Sequence, residues 1–191
     1  MSEQLLRFLQ ENGVEINTVE EMLKLERLNL YGNGLTSRLL EVRGENSTLS
    51  TISNLINLVK LDLSCNDLTY LPAEIGALIN LERLNLSGNK ITSLLSIGNL
   101  VNLQEIILSY NELVSLPSEI GNLVNLKELD LYKNKLTSLH SEIGNLVNLQ
   151  EINLSYNELV SLPSEIGNLE NLERLYLYRN KLTSLPSEIG N

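Results

Sequence analysis

The side chains that most often carry out chemistry are scarce in this sequence. It holds one cysteine, Cys65, and one histidine, His140. A metal centre needs several such ligands together, and a Cys–His nucleophile needs the two in hydrogen-bond contact. No glycine-rich phosphate loop, His-Glu-x-x-His, Cys-x-x-Cys or nucleophile-elbow motif is present. The chain is therefore expected to be no enzyme and to hold no metal and no cofactor. What it has instead is phenol groups in a pattern. Six of its seven tyrosines, Tyr31, Tyr110, Tyr132, Tyr156, Tyr176 and Tyr178, lie inside a Leu-x-Leu segment or within two residues after one, with Lys133 and Arg179 beside them. Tyrosine and arginine anchor protein interfaces because they bury much area at little rotamer cost. The chemistry to expect is binding, and Tyr110, Tyr132, Lys133, Tyr156, Tyr176, Tyr178 and Arg179 are its candidate residues.

Composition narrows the partner. The 191 residues include 45 Leu and 25 Asn, and 14 Lys+Arg stand against 24 Asp+Glu for a net charge of −10. An acidic chain with no basic cluster is a poor binder of a phosphate backbone, so no nucleic acid is expected. No apolar run reaches the roughly 18 residues of a membrane span, and the start Met1-Ser2-Glu3-Gln4-Leu5-Leu6-Arg7-Phe8 lacks the basic and apolar regions of a secretory signal. A lone cysteine makes no intrachain disulfide. These features together predict a cytoplasmic protein away from membranes, with a protein as its partner.

The elements that must position the tyrosines follow from self-similarity. Aligning on Leu-x-x-Leu-x-Leu-x-x-Asn-x-Leu gives seven units beginning at Leu25, Leu58, Leu81, Leu103, Leu126, Leu149 and Leu172, at intervals of 33, 23, 22, 23, 23 and 23 residues. The fullest runs from Leu126 through Leu129, Leu131, Asn134, Leu136, Leu139, Ile143 and Leu146 to Asn148. This pattern resembles the leucine-rich repeat family over residues 25–191. The Leu-Pro-x-x-Ile-Gly-x-Leu-x-Asn-Leu second half looks like the subclass of Ras-scaffold-type, plant and bacterial proteins. The resemblance implies a right-handed α/β solenoid, a horseshoe arc with a parallel sheet on its concave face, serving as a non-catalytic protein-binding module. For a bacterial effector it would imply delivery into a host cytosol. Bacterial members that resemble ubiquitin ligases carry their catalytic cysteine in a separate domain with no counterpart here.

The residues lead to the same coil. In Leu129-Asp-Leu131 the apolar side chains share one face of a short strand while Asp130 and Tyr132 do not. Seven apolar positions per unit cannot be buried by one unit alone, so neighbours must stack, at about 1.5–3 kcal/mol per buried aliphatic side chain. Three units separate Cys65 from His140, at least about 15 Å at one strand spacing per unit. Asn33, Asn66, Asn89, Asn111, Asn134, Asn157 and Asn180 follow the strands where the chain turns inward, and are expected to form a structural ladder pairing backbone groups that have lost a strand partner. Pro72, Pro117, Pro163 and Pro186 stiffen the exit from the turn, and Gly76, Gly98, Gly121, Gly144, Gly167 and Gly190 are expected to permit a tight convex turn. Lys90, Glu112, Lys135, Glu158 and Lys181 alternate in sign from coil to coil, as ion pairs between coils require.

Four departures stand out. Residues 38–48 lengthen the first unit and read as either a tolerated loop or a contact finger. Residues 1–24 form an N-terminal helical cap with a degenerate half-repeat, Asn17-Thr-Val-Glu20 having the spacing of a capping box. The C-terminal end has no such cap, and the alternative reading is an assembly protein that self-associates there as a homo-oligomer. Units four and six differ at two of 23 positions, Ile107/Asn153 and Val124/Glu170, and with units five and seven they give a 46-residue super-period. Cys65 is expected to be a half-buried filler.

Overall fold

The computed structural model describes residues 2–35 and 52–190. The insertion at 38–48 lies outside them. At the N-terminus, α1 (Ser2–Glu11) buries Leu5 and Leu9 and half-buries Leu6 and Phe8 against the first coil. It stops at Gly13, whose φ of +80° a residue with a Cβ adopts only under strain. The short α2 (Val19–Leu23) follows and buries Met22. Its cap lies one residue later than the sequence spacing suggests. Thr18, not Asn17, is in the extended N-cap conformation; its Oγ1 accepts from Glu21 N at 3.1 Å while the Glu21 carboxylate accepts from Thr18 N and, at 2.8 Å, from Asn17 N. A hydroxyl is the better cap here because the carboxylate three residues on closes the reciprocal pair.

Among the described residues, seven three-residue strands follow: β1 (Arg27–Asn29), β2 (Lys60–Asp62), β3 (Arg83–Asn85), β4 (Glu105–Ile107), β5 (Glu128–Asp130), β6 (Glu151–Asn153) and β7 (Arg174–Tyr176). They form one parallel sheet in sequence order, with every unit in the same register: Leu28, Leu61, Leu84, Ile106, Leu129, Ile152 and Leu175 stand opposite one another. These central residues point into the core, and their two neighbours on each strand face outward. Each coil returns through a 3₁₀ turn, such as Ser118–Asn122 or Ser141–Asn145, entered from an extended residue: Pro117 at φ −69°, and His140 at φ −74° in the fifth unit. Proline fits because its ring already holds this φ, and His140 shows that the coil needs the angle rather than the ring. The 22-residue third unit absorbs its missing residue at Ser96, which takes φ +62° before a shortened turn, Ile97–Asn99.

The convex glycines serve a different purpose from the one their turn position suggests. None of Gly76, Gly98, Gly121, Gly144 and Gly167 has a positive φ. A Cβ at Gly121 would instead lie 2.6 Å from the Glu142 carbonyl oxygen, and one at Gly144 would lie 2.5 Å from that of Glu165. Glycine is required because consecutive 3₁₀ turns pack backbone to backbone.

The asparagines at the inner turn tie the coils together. Asn134 Oδ1 accepts from Leu113 N at 3.0 Å, and its Nδ2 donates to Leu108 O at 2.9 Å and Leu131 O at 3.2 Å, so one buried carboxamide bonds its own coil and the one before. Asn66, Asn89, Asn111, Asn157 and Asn180 repeat this pattern. Asn33 does not. It is exposed and its Nδ2 reaches only Asn12 O, at 3.4 Å, because the cap offers no preceding coil to bond. A second row was not anticipated. The last residue of each unit, Asn57, Asn80, Asn102, Asn125, Asn148 and Asn171, donates its Nδ2 to a carbonyl one coil back, at 2.7–2.9 Å. Leu131→Ala, which empties a core layer, should cost about 2–5 kcal/mol. Asn134→Ala, which leaves buried backbone groups unpaired, should cost about 1–3 kcal/mol, and Asn148→Ala, on the exposed row, about 0.5–1.5 kcal/mol. Chemical-denaturation midpoints should rank the three variants in that order.

Candidate functional site

The strands end at a rim, where the chain must bend toward the core. The residue just before each inner asparagine makes that bend in the left-handed region. Gly32 and Gly88 do so in units one and three, and Cys65, Tyr110, Lys133, Tyr156 and Arg179 at φ +53° to +58° in the others. For a residue with a Cβ this conformation costs roughly 1–2 kcal/mol. Glycine performs the same turn in the same molecule, so Tyr110, Lys133, Tyr156 and Arg179 occupy these places against the preference of the backbone. Such an outlier points to a role outside folding.

The strained rim residues and their neighbours assemble into one row. The rings of Tyr110 and Tyr132 lie 5.3 Å apart between centroids, Tyr132 and Tyr156 5.0 Å, and Tyr156 and Tyr178 5.6 Å, tilted by 58° to 66°. These are favourable edge-on geometries. The row zigzags between two chain positions, since Tyr110 and Tyr156 directly precede the inner asparagine and Tyr132 and Tyr178 stand one residue earlier. The cations fill the alternate places. Lys133 Nζ sits 4.7 Å from the Tyr110 centroid, and the Arg179 guanidinium lies 5.3 Å from that of Tyr156 and 5.6 Å from that of Tyr178. Withdrawal from water, together with the neighbouring Tyr110 and Tyr156 hydroxyls, raises the Tyr132 pKa above the usual phenol value.

Of the seven candidate binding residues, six come together in this row, and Tyr176 does not. It lies on β7 in the column of Asp130 and Asn153, facing the open side of the sheet. Tyr31 stands apart at the first coil, where its hydroxyl bonds Cys65 and that contact raises its pKa. Cys65 itself is exposed rather than half-buried, because the left-handed bend turns its side chain out of the core. His140 is exposed at the convex turn. Among the described residues, no group of three or more His, Cys, Asp or Glu could hold a metal ion.

Outside the rim the charges alternate and pair: Lys90 with Asp67 at 2.7 Å, Lys135 with Glu112 at 2.9 Å, and Lys181 with Glu158 at 2.7 Å. The bonded lysines hold the Glu112 and Glu158 carboxyls below the usual range, and Asp67 raises Lys90. Both carboxylates have a lowered pKa in the fold, so their contribution is present above the unfolded carboxylate pKa and fades as the pH falls through the lowered one.

The open face of the sheet holds two adjoining hollows. One, of about 340 Å³, runs over β1–β4 and is lined by Arg27, Lys60, Arg83 and Asp62 among others. The second, of about 200 Å³, runs over β4–β6 and is lined by Glu105, Glu128, Asp130 and Glu151. The site is thus a polar floor bordered by an aromatic rim, with no nucleophile, acid–base pair or metal set. A surface that sequence reasoning missed is the exposed aliphatic row Ile56, Ile79, Val101, Val124 and Val147, ended by Glu170. Its signal was present, since each of these residues directly precedes an asparagine of the second row.

A parallel solenoid of this kind defines a repeat protein whose fold commonly mediates protein–protein interaction. The chain belongs to the leucine-rich repeat family: the model of the leucine-rich repeat region matches residues 35–159, and that of paired leucine-rich repeats matches 147–189. Members of this family are typically non-catalytic interaction modules. Among solved structures, a leucine-rich repeat protein of Leptospira interrogans is similar at 41% identity and a TM-score of 0.81, over 93% of this chain and 43% of its own. The leucine-rich repeat ectodomain of the Arabidopsis thaliana receptor kinase GASSHO1/SCHENGEN3, solved in complex with CASPARIAN STRIP INTEGRITY FACTOR 2, is 38% identical with a TM-score of 0.68, over 74% of this chain and 18% of that one. The plant peptide hormone receptor RGFR1, solved in complex with RGF2, is 29% identical with a TM-score of 0.59, over 73% and 27%. This chain therefore spans less than half the length of each. A search of curated proteins found no match.

Two outcomes test the rim geometry. Tyr156→Gly removes left-handed strain of about 1–2 kcal/mol and two ring contacts of about 0.5–1.5 kcal/mol each, so its denaturation midpoint should move by less than about 1 kcal/mol. In an alkaline titration followed by phenolate absorbance, Tyr132→Phe should remove a step that falls later than that of ordinary tyrosines.

Proposed function

We propose that this chain is a non-catalytic binding module that captures a polypeptide segment on its concave side, with Tyr110, Tyr132, Lys133, Tyr156, Tyr178 and Arg179 as the anchoring rim and Tyr176 as a separate contact on the floor. One observation carries the reading. Aromatic and cationic side chains occupy left-handed positions where glycine would serve the fold better, and together they make a continuous row. Two leucine-rich repeat structures with which this chain aligns over about three quarters of its length are receptors solved with a bound factor or peptide hormone, which supports a polypeptide ligand. A cytosolic setting agrees with the single cysteine.

The test is selection of peptides from a random displayed library on the wild-type chain, followed by affinity measurement on variants. Tyr132→Ala, Tyr156→Ala and Tyr178→Ala should each weaken the selected peptides by about 1–2 kcal/mol, roughly 5- to 30-fold, with little change in thermal midpoint. Glu142→Ala on the convex side should bind as wild type does. Selected peptides that bind the three tyrosine variants unchanged and lose affinity with Glu142→Ala would overturn the assignment.

A further inference from the structure

The outward residue that opens each strand follows an order that folding alone does not account for. In register, these residues read Arg27, Lys60, Arg83, Glu105, Glu128, Glu151 and Arg174. Three cations stand side by side, then three carboxylates. Like charges directly opposite on neighbouring strands destabilise a sheet. The row outside the rim shows the arrangement that stabilises: the same stacking, with signs alternating and each lysine bonded to the acid one coil back. On the floor only the block junctions are satisfied, Arg83 with Glu105 and Arg174 with Glu151. Among the described residues, Arg27, Lys60 and Glu128 have no ion-pair partner, and Asp130 spends one carboxylate oxygen on Tyr132 N at 3.0 Å. Asp62 beside the cations is already engaged, accepting from Ser64 N at 2.9 Å and from Ser64 Oγ. The two blocks coincide with the two hollows.

Resting on the concave-face reading above, we infer that the floor selects a polypeptide segment of split charge, with acidic side chains over Arg27, Lys60 and Arg83 and basic side chains over Glu105, Glu128 and Glu151. The charge order thereby fixes which way the segment runs. From Arg27 to Glu151 is five strand spacings, roughly 24 Å, the length of about seven extended residues. The flanking row, Glu26, Glu82 and then Lys127, bears the reverse order. The two rows offset each other at a distance, so the floor discriminates by contact rather than by steering the approach, and its preference weakens as salt rises. A second copy of this chain also carries charges of both signs, but two concave floors cannot meet, because their rims touch first.

The test uses two fluorescein-labelled peptides of identical composition, one with a run of glutamates followed by a run of lysines and one with the two residues alternating. Binding is measured by anisotropy at low salt. The wild-type chain should bind the block peptide at least about fivefold more tightly than the alternating one. Lys60→Glu and Glu128→Lys should each lower the block peptide's affinity by a similar factor. The double variant Lys60→Glu/Glu128→Lys keeps the net charge and makes the floor row strictly alternating. It should fold with an equal or higher thermal midpoint and exchange the preference, now favouring the alternating peptide. Equal affinity of the two peptides for the wild type, failure of the block peptide to bind, or a double variant with unchanged preference would overturn the inference. Its failure is distinguishable from that of the module reading. Library-selected peptides that depend on Tyr132, Tyr156 and Tyr178 but tolerate the double variant leave the rim standing without the floor. A block preference insensitive to Tyr132→Ala leaves the floor without the rim.

Discussion

A carboxamide buried at the inner bend of each coil from the second onward is the constraint on which the rest of this molecule depends. Asn66, Asn89, Asn111, Asn134, Asn157 and Asn180 each bond their own coil and the one before, and none leaves a buried polar atom unpaired. An amide is well suited because it donates and accepts from one planar group. Bonding in this fixed way sets the offset between coils, so that every strand position meets its equivalent. From that register follow the stacked core leucines, the backbone-to-backbone contact of the convex turns and, on the outside, straight rows of side chains. Here a row is the unit of surface chemistry.

The rows fall into two kinds. Some satisfy the fold: the second set of asparagines, and the alternating lysines and acids beyond the rim. Others work against it. Tyrosines and cations sit in left-handed backbone where Gly32 and Gly88 show that glycine suffices, and like charges stand shoulder to shoulder across β1–β3 and β4–β6. A solenoid tolerates such local costs because each coil adds its own stability and its own interfaces, so a deficit on one face is offset within the same unit. Both costly rows lie on the same side of the protein.

Much of this was legible in the residues. The seven units, their register, the parallel sheet, the inner ladder and the pairing of Lys135 with Glu112 all follow from spacing, because a short period repeated seven times leaves little freedom in how the coils stack. What spacing could not convey was atomic neighbourhood. The convex glycines looked like turn residues, but it is the oxygen of the next coil, as at Gly144 and Glu165, that excludes a Cβ. Asn33 matches the motif yet has no earlier coil to bond, and Cys65 matches a filler position until the left-handed bend turns it outward. The candidate tyrosines were found by position, but the zigzag that joins Tyr110, Tyr132, Tyr156 and Tyr178 and leaves Tyr176 out depends on ring direction, which sequence does not record.

The direction of the backbone hydrogen bonds has a mechanical consequence. In this sheet they run from coil to coil, along the axis of the stack, and each strand and each convex turn touches only its neighbours. Tension applied to the two ends of the stack would load these bonds one after another, as in the opening of a zipper, instead of sharing the load among them as shear does. The molecule would lengthen in steps, each releasing one coil of 23 residues, about 80 Å of extended chain. A ligand lying along the floor would bridge several coils at once. It would act as a splint, converting a sequence of weak openings into a single stronger one.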